Sequence, residues 1–411
     1  MNSAQKSDMA HVFKGIKNFG NLDYVACWYK KAADFINGTK IACAFVSTNS
    51  VSQGIAVEPL WTYLFAKGIV INFVHQTFKW FSESADKASV YCVVVGFANF
   101  AAPVKKIFNG KDFKVVDFIN AYLVEGANVI VKPKAEPPEG IPPMLVGCCP
   151  VDDGNFLFTE NELADFLKRE PAAKKYIRPY VGSKEFIQRI PRYCLWLVDC
   201  PPDELRKMPL VYQRVKNVRE FRLASKKAAT RRDADKPTLF QEIRQPTTDY
   251  LLVPRVSSEL RKYIPIGYMS SEVICSDANH MVPDADLFLF GVLTSSVHMA
   301  WVRMVCGRLT SRIRYSNTIC YNAFPFPLFY ADEWKPRVEK TAKKILDARA
   351  NYPNASYADL YDEVSMPYDL RKAHEANDEA VLSLYGRLNS TMDEETMQVA
   401  LLYMYDALVK H

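Results

Sequence analysis

The stretch Ile41-Ala42-Cys43-Ala44-Phe45-Val46-Ser47-Thr48-Asn49-Ser50 decides the fold. Its first part is apolar without interruption, the pattern of a strand buried on both faces of a sheet. Its last part is small and polar, the pattern of a turn at the strand's carboxyl end. Upstream, Asp23 is placed to cap a helix that carries Val25, Trp28, Ala32 and Phe35 or Ile36 on one face and ends at Gly38. Downstream, a second helix runs through Pro59-Leu60-Trp61-Thr62-Tyr63-Leu64-Phe65 to Gly68, and apolar strands follow at 69–74 and 89–97. The segment Gln76 to Lys87 between those strands is too short for a crossover helix, so it predicts an antiparallel hairpin. The expected first domain is therefore α/β, with a mostly parallel sheet that closes on an antiparallel hairpin.

A chain of 411 residues has room for two or three such cores. The proline-rich run Lys132 to Pro143 holds neither a helix nor a central strand. It divides the chain into an α/β domain at 1–135 and a linker at 136–150. Beyond it, a mixed α+β domain is expected at 151–330 and a helical region at 331–411. In the mixed domain, Thr159-x-x-Glu162 opens a helix as a capping box, and β-like segments stand at 193–198, 250–253 and 286–290. In the helical region, Val338, Ala342, Ile345 and Leu346 share a face, and Thr391-x-x-Glu394 caps a last helix through Leu401, Leu402 and Tyr405.

A net charge of +6 over this length says little about partners, but its distribution does. Basic residues recur from Arg206 to Lys236 against acids only at Glu220, Asp233 and Asp235. The ten cysteines show no C-x-x-C spacing and mostly sit in apolar runs, which predicts free thiols in a reducing compartment and no metal site. No leader pattern is present, and no apolar stretch approaches the ~18 residues that span a bilayer. The expected location is the cytoplasm.

Three groups of residues carry chemistry. Phe78 and Trp80, with Lys79 between them, fall at the hairpin tip, where they either stack on a base turned out of a duplex or close the sheet's end as ordinary core. The run Ser47 to Gly54, Asn49 included, lies where open α/β sheets bind ligands, and it reads equally as a turn and helix cap. Arg219, Arg222, Lys226 and Lys227 place cations on a helix end and its loop, suited to phosphates or to a solvated face.

Read together, these pieces are similar to a known family. Ala44 to Ser50 with Gln53-Gly54, then Thr77-Phe78-Lys79-Trp80 leading into 90–97, resemble the late catalytic motifs of the MmeI-like enzymes, which combine restriction with adenine methylation of DNA. Tyr176 to Ser183, Arg192 to Leu197, Val218 to Ser225, Pro254 to Ser258, Arg314 to Thr318 and Asn322 to Pro325 resemble that family's target recognition domain, in order. The resemblance implies the end of a class I S-adenosylmethionine-dependent methyltransferase sheet, an α+β target recognition domain and a helical C-terminus. It implies double-stranded DNA as partner and places Phe78 against a flipped adenine. Arg244, Arg255, Ser257 and Ser258 flank loops of the expected target recognition domain and are weaker candidates for DNA contact. Thr310 and Arg312, two apart on an extended segment, become a base-reading pair with Arg314 beside them; the alternative is that Arg308, Arg312 and Arg314 bind only phosphate.

The same resemblance implies a glycine-containing S-adenosylmethionine motif and an Asn-Pro-Pro-aromatic motif, and this sequence has neither. The expectation is a C-terminal part that binds no cofactor and is inactive alone, completed by an N-terminal methyltransferase half, with or without a nuclease domain. The alternative is a separate specificity subunit that works with a distinct catalytic chain.

Overall fold

The computed structural model describes residues 1–80, 90–327, 331–386 and 388–410. The hairpin tip beyond Trp80 lies outside them. Two compact units form: Met1–Glu139 with Ser295–Arg337 and Ala376–His411, and Gly140–Thr294 with Val338–Glu375.

The first unit contains α1 (Ser3–Val12), α2 (Ala26–Ile36) and α3 (Val57–Ala66). Its five-stranded sheet has β1 (Ala42–Thr48), β2 (Val70–Trp80), β3 (Val90–Ala98), β4 (Lys105–Asn109) and β5 (Asp112–Val116) in the order β1-β3-β2-β4-β5. The predicted β2–β3 hairpin is present. The expected mostly parallel pairing is not, because β3 runs antiparallel to both β1 and β2 and β5 antiparallel to β4, which leaves β2–β4 as the parallel pair. Even so, β1, β2 and β4 point the same way.

Register fixes what each face carries, because directly paired residues share a face. Phe45, Val95, Val74, Ile107 and Lys114 form one row, in which Val95 and Val74 are fully buried. Helices cover this face: the Tyr29 ring of α2 lies against Phe45 and Phe97, and Trp61 of α3 lies against Tyr29. On the opposite face run Ala44, Gly96, Phe73, Lys106 and Val115. Beside them run Val46, Val94, His75, Phe108 and Phe113, and here Val46 is 54% exposed and Val115 62%.

Thus β1 is not buried on both faces as its composition predicted. It is an edge strand with one covered face, since an apolar run reports what a strand tolerates rather than what surrounds it. The buried stripe of α2 is likewise Ala26, Tyr29, Ala33 and Ile36, while Trp28 and Phe35 point outward.

The second unit holds two four-stranded sheets. One orders Ile274–Cys275, Ile177–Val181, Arg192–Leu195 and Leu157–Thr159; the other orders Gly267–Met269, Tyr250–Pro254, Asn279–Pro283 and Leu145–Val146. The Thr159 capping box forms as expected. The segment at 286–290 is not a strand: Asp286 accepts the Leu289 N–H at 2.8 Å and caps the helix Leu287–Leu293. Val338, Ala342 and Ile345 are buried along the helix Ala331–Ala350. The last helix, Glu394–Lys410, is capped by Asp393, which accepts the Thr396 N–H at 2.7 Å, and not by Thr391, whose hydroxyl turns to Asn389.

The ten cysteines are free thiols, and all but Cys43, Cys149 and Cys200 are buried. Among the described residues no single helix is long and apolar enough to cross a membrane.

Burial pushes the pKa of His298 down to about 3 and that of His374 well below its usual range, so both are neutral in the fold. The unfolded chain takes up a proton on each below about pH 6.5 while the folded chain does not, so stability falls with pH. For His298 the loss at pH 5 is about 2 kcal/mol relative to pH 7. Urea midpoints at the two pH values should show it, and His298→Gln should reduce the difference; an equal drop in that variant would count against this origin.

Candidate nucleic-acid interface

Two strand ends meet at one rim of the sheet. Thr48, at the end of β1, and Phe78, near the end of β2, both pair with Cys92 on the strand between them. They are therefore two strand spacings apart, about 10 Å, and Asn49 begins one residue beyond that row. A register shift between His75 and Phe78 re-aims β2 at this point. Phe78 is half-buried and Trp80 is 48% exposed, with ring centroids 6.3 Å apart. Neither ring is sealed into the core, so both stay available as stacking surfaces.

The loop after β1 is held by its own polar groups. Tyr29 and Ser47 share a buried hydroxyl contact at 2.9 Å, Thr48 and Ser50 another at 2.9 Å, and the Ser52 hydroxyl donates to the Asn49 carbonyl at 3.0 Å. The Trp61 indole N–H donates to the Val51 carbonyl at 2.6 Å and ties the loop to α3. Gly54 takes a left-handed φ of 64°. A Cβ there would stand 3.0 Å from the Cα of Gly307, so this loop touches a second element backbone to backbone.

That element is the hairpin Gly307–Leu309 and Arg312–Arg314, turned by Thr310 and Ser311. Thr310 is not on an extended segment, as the sequence predicted; it sits in the turn with φ 58°. The same-side pair is instead Arg312 and Arg314, both exposed, with Ile313 buried between them. Below the hairpin, Cys306 Sγ donates to the Arg314 carbonyl at 2.7 Å, and the Tyr315 hydroxyl meets His298 Nε2 at 2.9 Å.

In the second unit the basic stretch divides by burial. Arg219 is exposed on the helix Pro209–Leu223, and Lys226 and Lys227 are exposed in the loop after it. Arg222 is fully buried and is no phosphate ligand. Its Nε donates to the Val151 carbonyl at 3.0 Å, Nη1 to Asp233 and Lys236 at 3.1 Å each, and Nη2 to Pro150 and Leu239 at 2.8 and 2.7 Å. Every guanidinium N–H is used. Desolvation lowers its pKa.

The remaining candidates are partly committed. Arg244 bonds the Gly147 carbonyl and Glu242, and Arg255 bonds the Asp277 carbonyl at 2.7 Å. Ser257 is buried in the short strand Val256–Ser257. Sequence reasoning did not single out Arg214, which packs its guanidinium 4.4 Å from the Phe158 ring centroid and donates to the Asn155 carbonyl at 2.7 Å.

Residues 1–109 match the MmeI DNA-methyltransferase domain, 125–328 the MmeI target recognition domain and 330–411 the MmeI C-terminal domain. DNA methyltransferase A of Bacillus subtilis (strain 168) is 36% identical over 410 residues, which are 100% of this chain and 46% of that protein. The Type IIL restriction-modification enzyme MmeI, solved in complex with DNA, superposes with a TM-score of 0.95 at 43% identity, over 100% of this chain and 56% of that one. The chain thus spans about half the length of these relatives. Its segments follow the order of a restriction-modification DNA methyltransferase that carries its own target recognition domain. The chain belongs to the MmeI family.

Proposed function

We propose that this chain is the DNA-recognising, base-positioning part of a site-specific adenine methyltransferase of a restriction-modification system, acting on duplex DNA in the bacterial cytoplasm. One observation carries the reading. Phe78 shares a sheet rim with the loop that runs to Gly54, and Gly54 abuts the hairpin bearing Arg312 and Arg314, all within one compact unit. A base-stacking ring and base-reading side chains on one rigid frame are what modification at a fixed point in a sequence requires.

In this reading Phe78 stacks on the flipped adenine, Trp80 flanks it, and Asn49 lines the same rim. Arg312 reads a base edge with Arg314 beside it, and Thr310 is carried at the tip. Arg219, Lys226 and Lys227 hold phosphates and fix register, while Arg244, Arg255 and Ser257 play at most a secondary part. Along the sequence we divide the chain into 1–135, the linker 136–150, 151–330 and 331–411; these are divisions of the sequence and not the compact units, which take 295–337 and 376–411 with 1–139 and take 338–375 with 140–294.

S-adenosylmethionine supplies the methyl group in the complete enzyme. The residues present do not compose a site for it: residues 47–56 contain no carboxylate to take a ribose diol, and their hydroxyls are engaged with neighbours in the same fold. We assign that site to the portion of the relatives that this chain does not span.

Salt titration of duplex binding tests the reading. Log affinity should fall linearly with log salt, by about 0.9 per neutralised phosphate. Replacing Arg219, Lys226 and Lys227 with alanine should flatten the slope by about one unit for each cation removed from a phosphate and weaken all sequences alike. Binding without salt dependence would remove the basis for the assignment.

A further inference from the structure

The hairpin that abuts Gly54 carries two large apolar side chains, and its register sends them to opposite faces. Ile313 is fully buried, while Leu309 is 51% exposed. Gly307 pairs with Arg314, Arg308 with Ile313 and Leu309 with Arg312. Directly opposed residues share a face, and so do residues two apart along a strand. Arg308 therefore goes with Ile313 to the inner face, where its Nη2 donates to the Arg303 carbonyl at 3.0 Å. The outer face has two rows, Gly307 and Leu309 on one strand and Arg314 and Arg312 on the other.

A solitary exposed leucine has no meaning by itself, since folded surfaces carry many. The place of this one is what counts. Leu309 stands directly opposite Arg312, with Cβ atoms about 5 Å apart, on the open face of a hairpin in the unit that also holds Phe78. From Gly307 to Arg314 there is no acidic residue, so this face offers an anionic partner one apolar group among cations. The major groove of DNA admits a two-stranded β-ribbon. There guanine presents O6 and N7 to an arginine, and the apolar feature on the base edges is the 5-methyl group of thymine. Successive base pairs are about 3.4 Å apart along the helix axis, a spacing that two paired side chains on one ribbon face match closely.

We propose that Leu309 is a specificity-determining residue that contacts the 5-methyl group of a pyrimidine, thymine in unmodified DNA, next to the base pair read by Arg312. The inference rests on the function proposed above and deepens it: the hairpin reads a two-base-pair step, the arginine taking a polar edge and the leucine a methyl group. The other use of an exposed leucine on DNA is as a wedge between stacked bases. A wedge has to lead, and the leading tip of this hairpin is Thr310 and Ser311.

Duplexes that differ by the methyl group alone test the proposal. Selection from randomised duplexes gives the sequence that the full chain prefers, and each thymine in it is then replaced singly by uracil. At one thymine, adjacent to the base pair whose choice Arg312→Ala relaxes, uracil should lower affinity about fourfold, the effect of leaving one methyl group in water. At the same position 5-methylcytosine should bind more tightly than cytosine by a similar factor, which separates the methyl group from the rest of the thymine edge. Leu309→Ala should bring both ratios close to one without changing the salt slope, and Leu309→Met, which conserves volume, should keep them. Circular dichroism melts of both variants should overlay the wild type, since the side chain is half exposed. Equal affinity for thymine and uracil throughout the site overturns the proposal, as does a methyl effect that lies away from the Arg312 base pair or survives in Leu309→Ala. Uniform weakening of Leu309→Ala on all duplexes also overturns it. If wild-type binding depends on salt but shows no methyl effect, only this inference falls; if it shows no salt dependence, the functional reading falls and this one with it.

Discussion

Arg222→Ala is expected to unfold the second unit under mild denaturant rather than to weaken DNA binding selectively. The guanidinium joins the helix Pro209–Leu223 to the carbonyls of Pro150 and Val151 on one side and of Asp233, Lys236 and Leu239 on the other. Each buried carbonyl left without a donor costs about 1–3 kcal/mol, and water entering the cavity recovers part of that, so the net loss is roughly 3–5 kcal/mol. Urea denaturation reads it as a large fall in midpoint. Lysine is a poor rescue, since three donors on one nitrogen cannot reach carbonyls spread around a planar fork. Arg219→Ala, one turn away and exposed, should leave the midpoint in place and reduce salt-dependent binding instead. The opposite pattern, with a stable Arg222→Ala protein that has lost DNA affinity, would return Arg222 to the interface.

Arg312→Ala is expected to relax the choice of base pair at one position. Arginine bidentate to guanine is worth about 1–3 kcal/mol of discrimination, or roughly five- to more than a hundredfold in relative affinity. Selection from randomised duplexes, followed by binding to single-position variants, reads this directly. The change should concentrate at one base pair and leave the salt slope nearly unaltered. Uniform weakening across all sequences would make Arg312 a phosphate contact. Arg314→Ala is the comparison, because the two side chains share the exposed face of the strand.

Much of this arrangement is legible in the sequence, and the failures have specific causes. The β2–β3 hairpin and the Thr159 cap follow from local pattern alone. The β4–β5 hairpin escapes the sequence reading although Asn109-Gly110, between Lys105-Lys106-Ile107-Phe108 and Phe113-Lys114-Val115-Val116, is a strong turn signal; Gly110 takes φ 64° there. The helix at Leu287–Leu293 reads as a strand because a short, wholly apolar run has no period to distinguish the two. The burial of Arg222 has a visible signal: Val211, Val215, Val218 and Arg222 step by four, three and four along one buried stripe, and its charge conceals the position. What no local pattern contains is the approach of Gly54 to Gly307, a meeting across more than half the chain that exists only once both loops are folded.

That glycine pair works as a ruler. Because it is made by backbone alone, the spacing between this hairpin and the sheet rim does not depend on which side chains the hairpin displays. If Phe78 and Arg312 have the roles proposed above, exchanging positions 310, 312 and 314 should change the base pairs that are read while the modified base keeps the same offset from them. Bulk added at Gly54 should then do the reverse, keeping the sequence that is read and shifting the point at which it is marked.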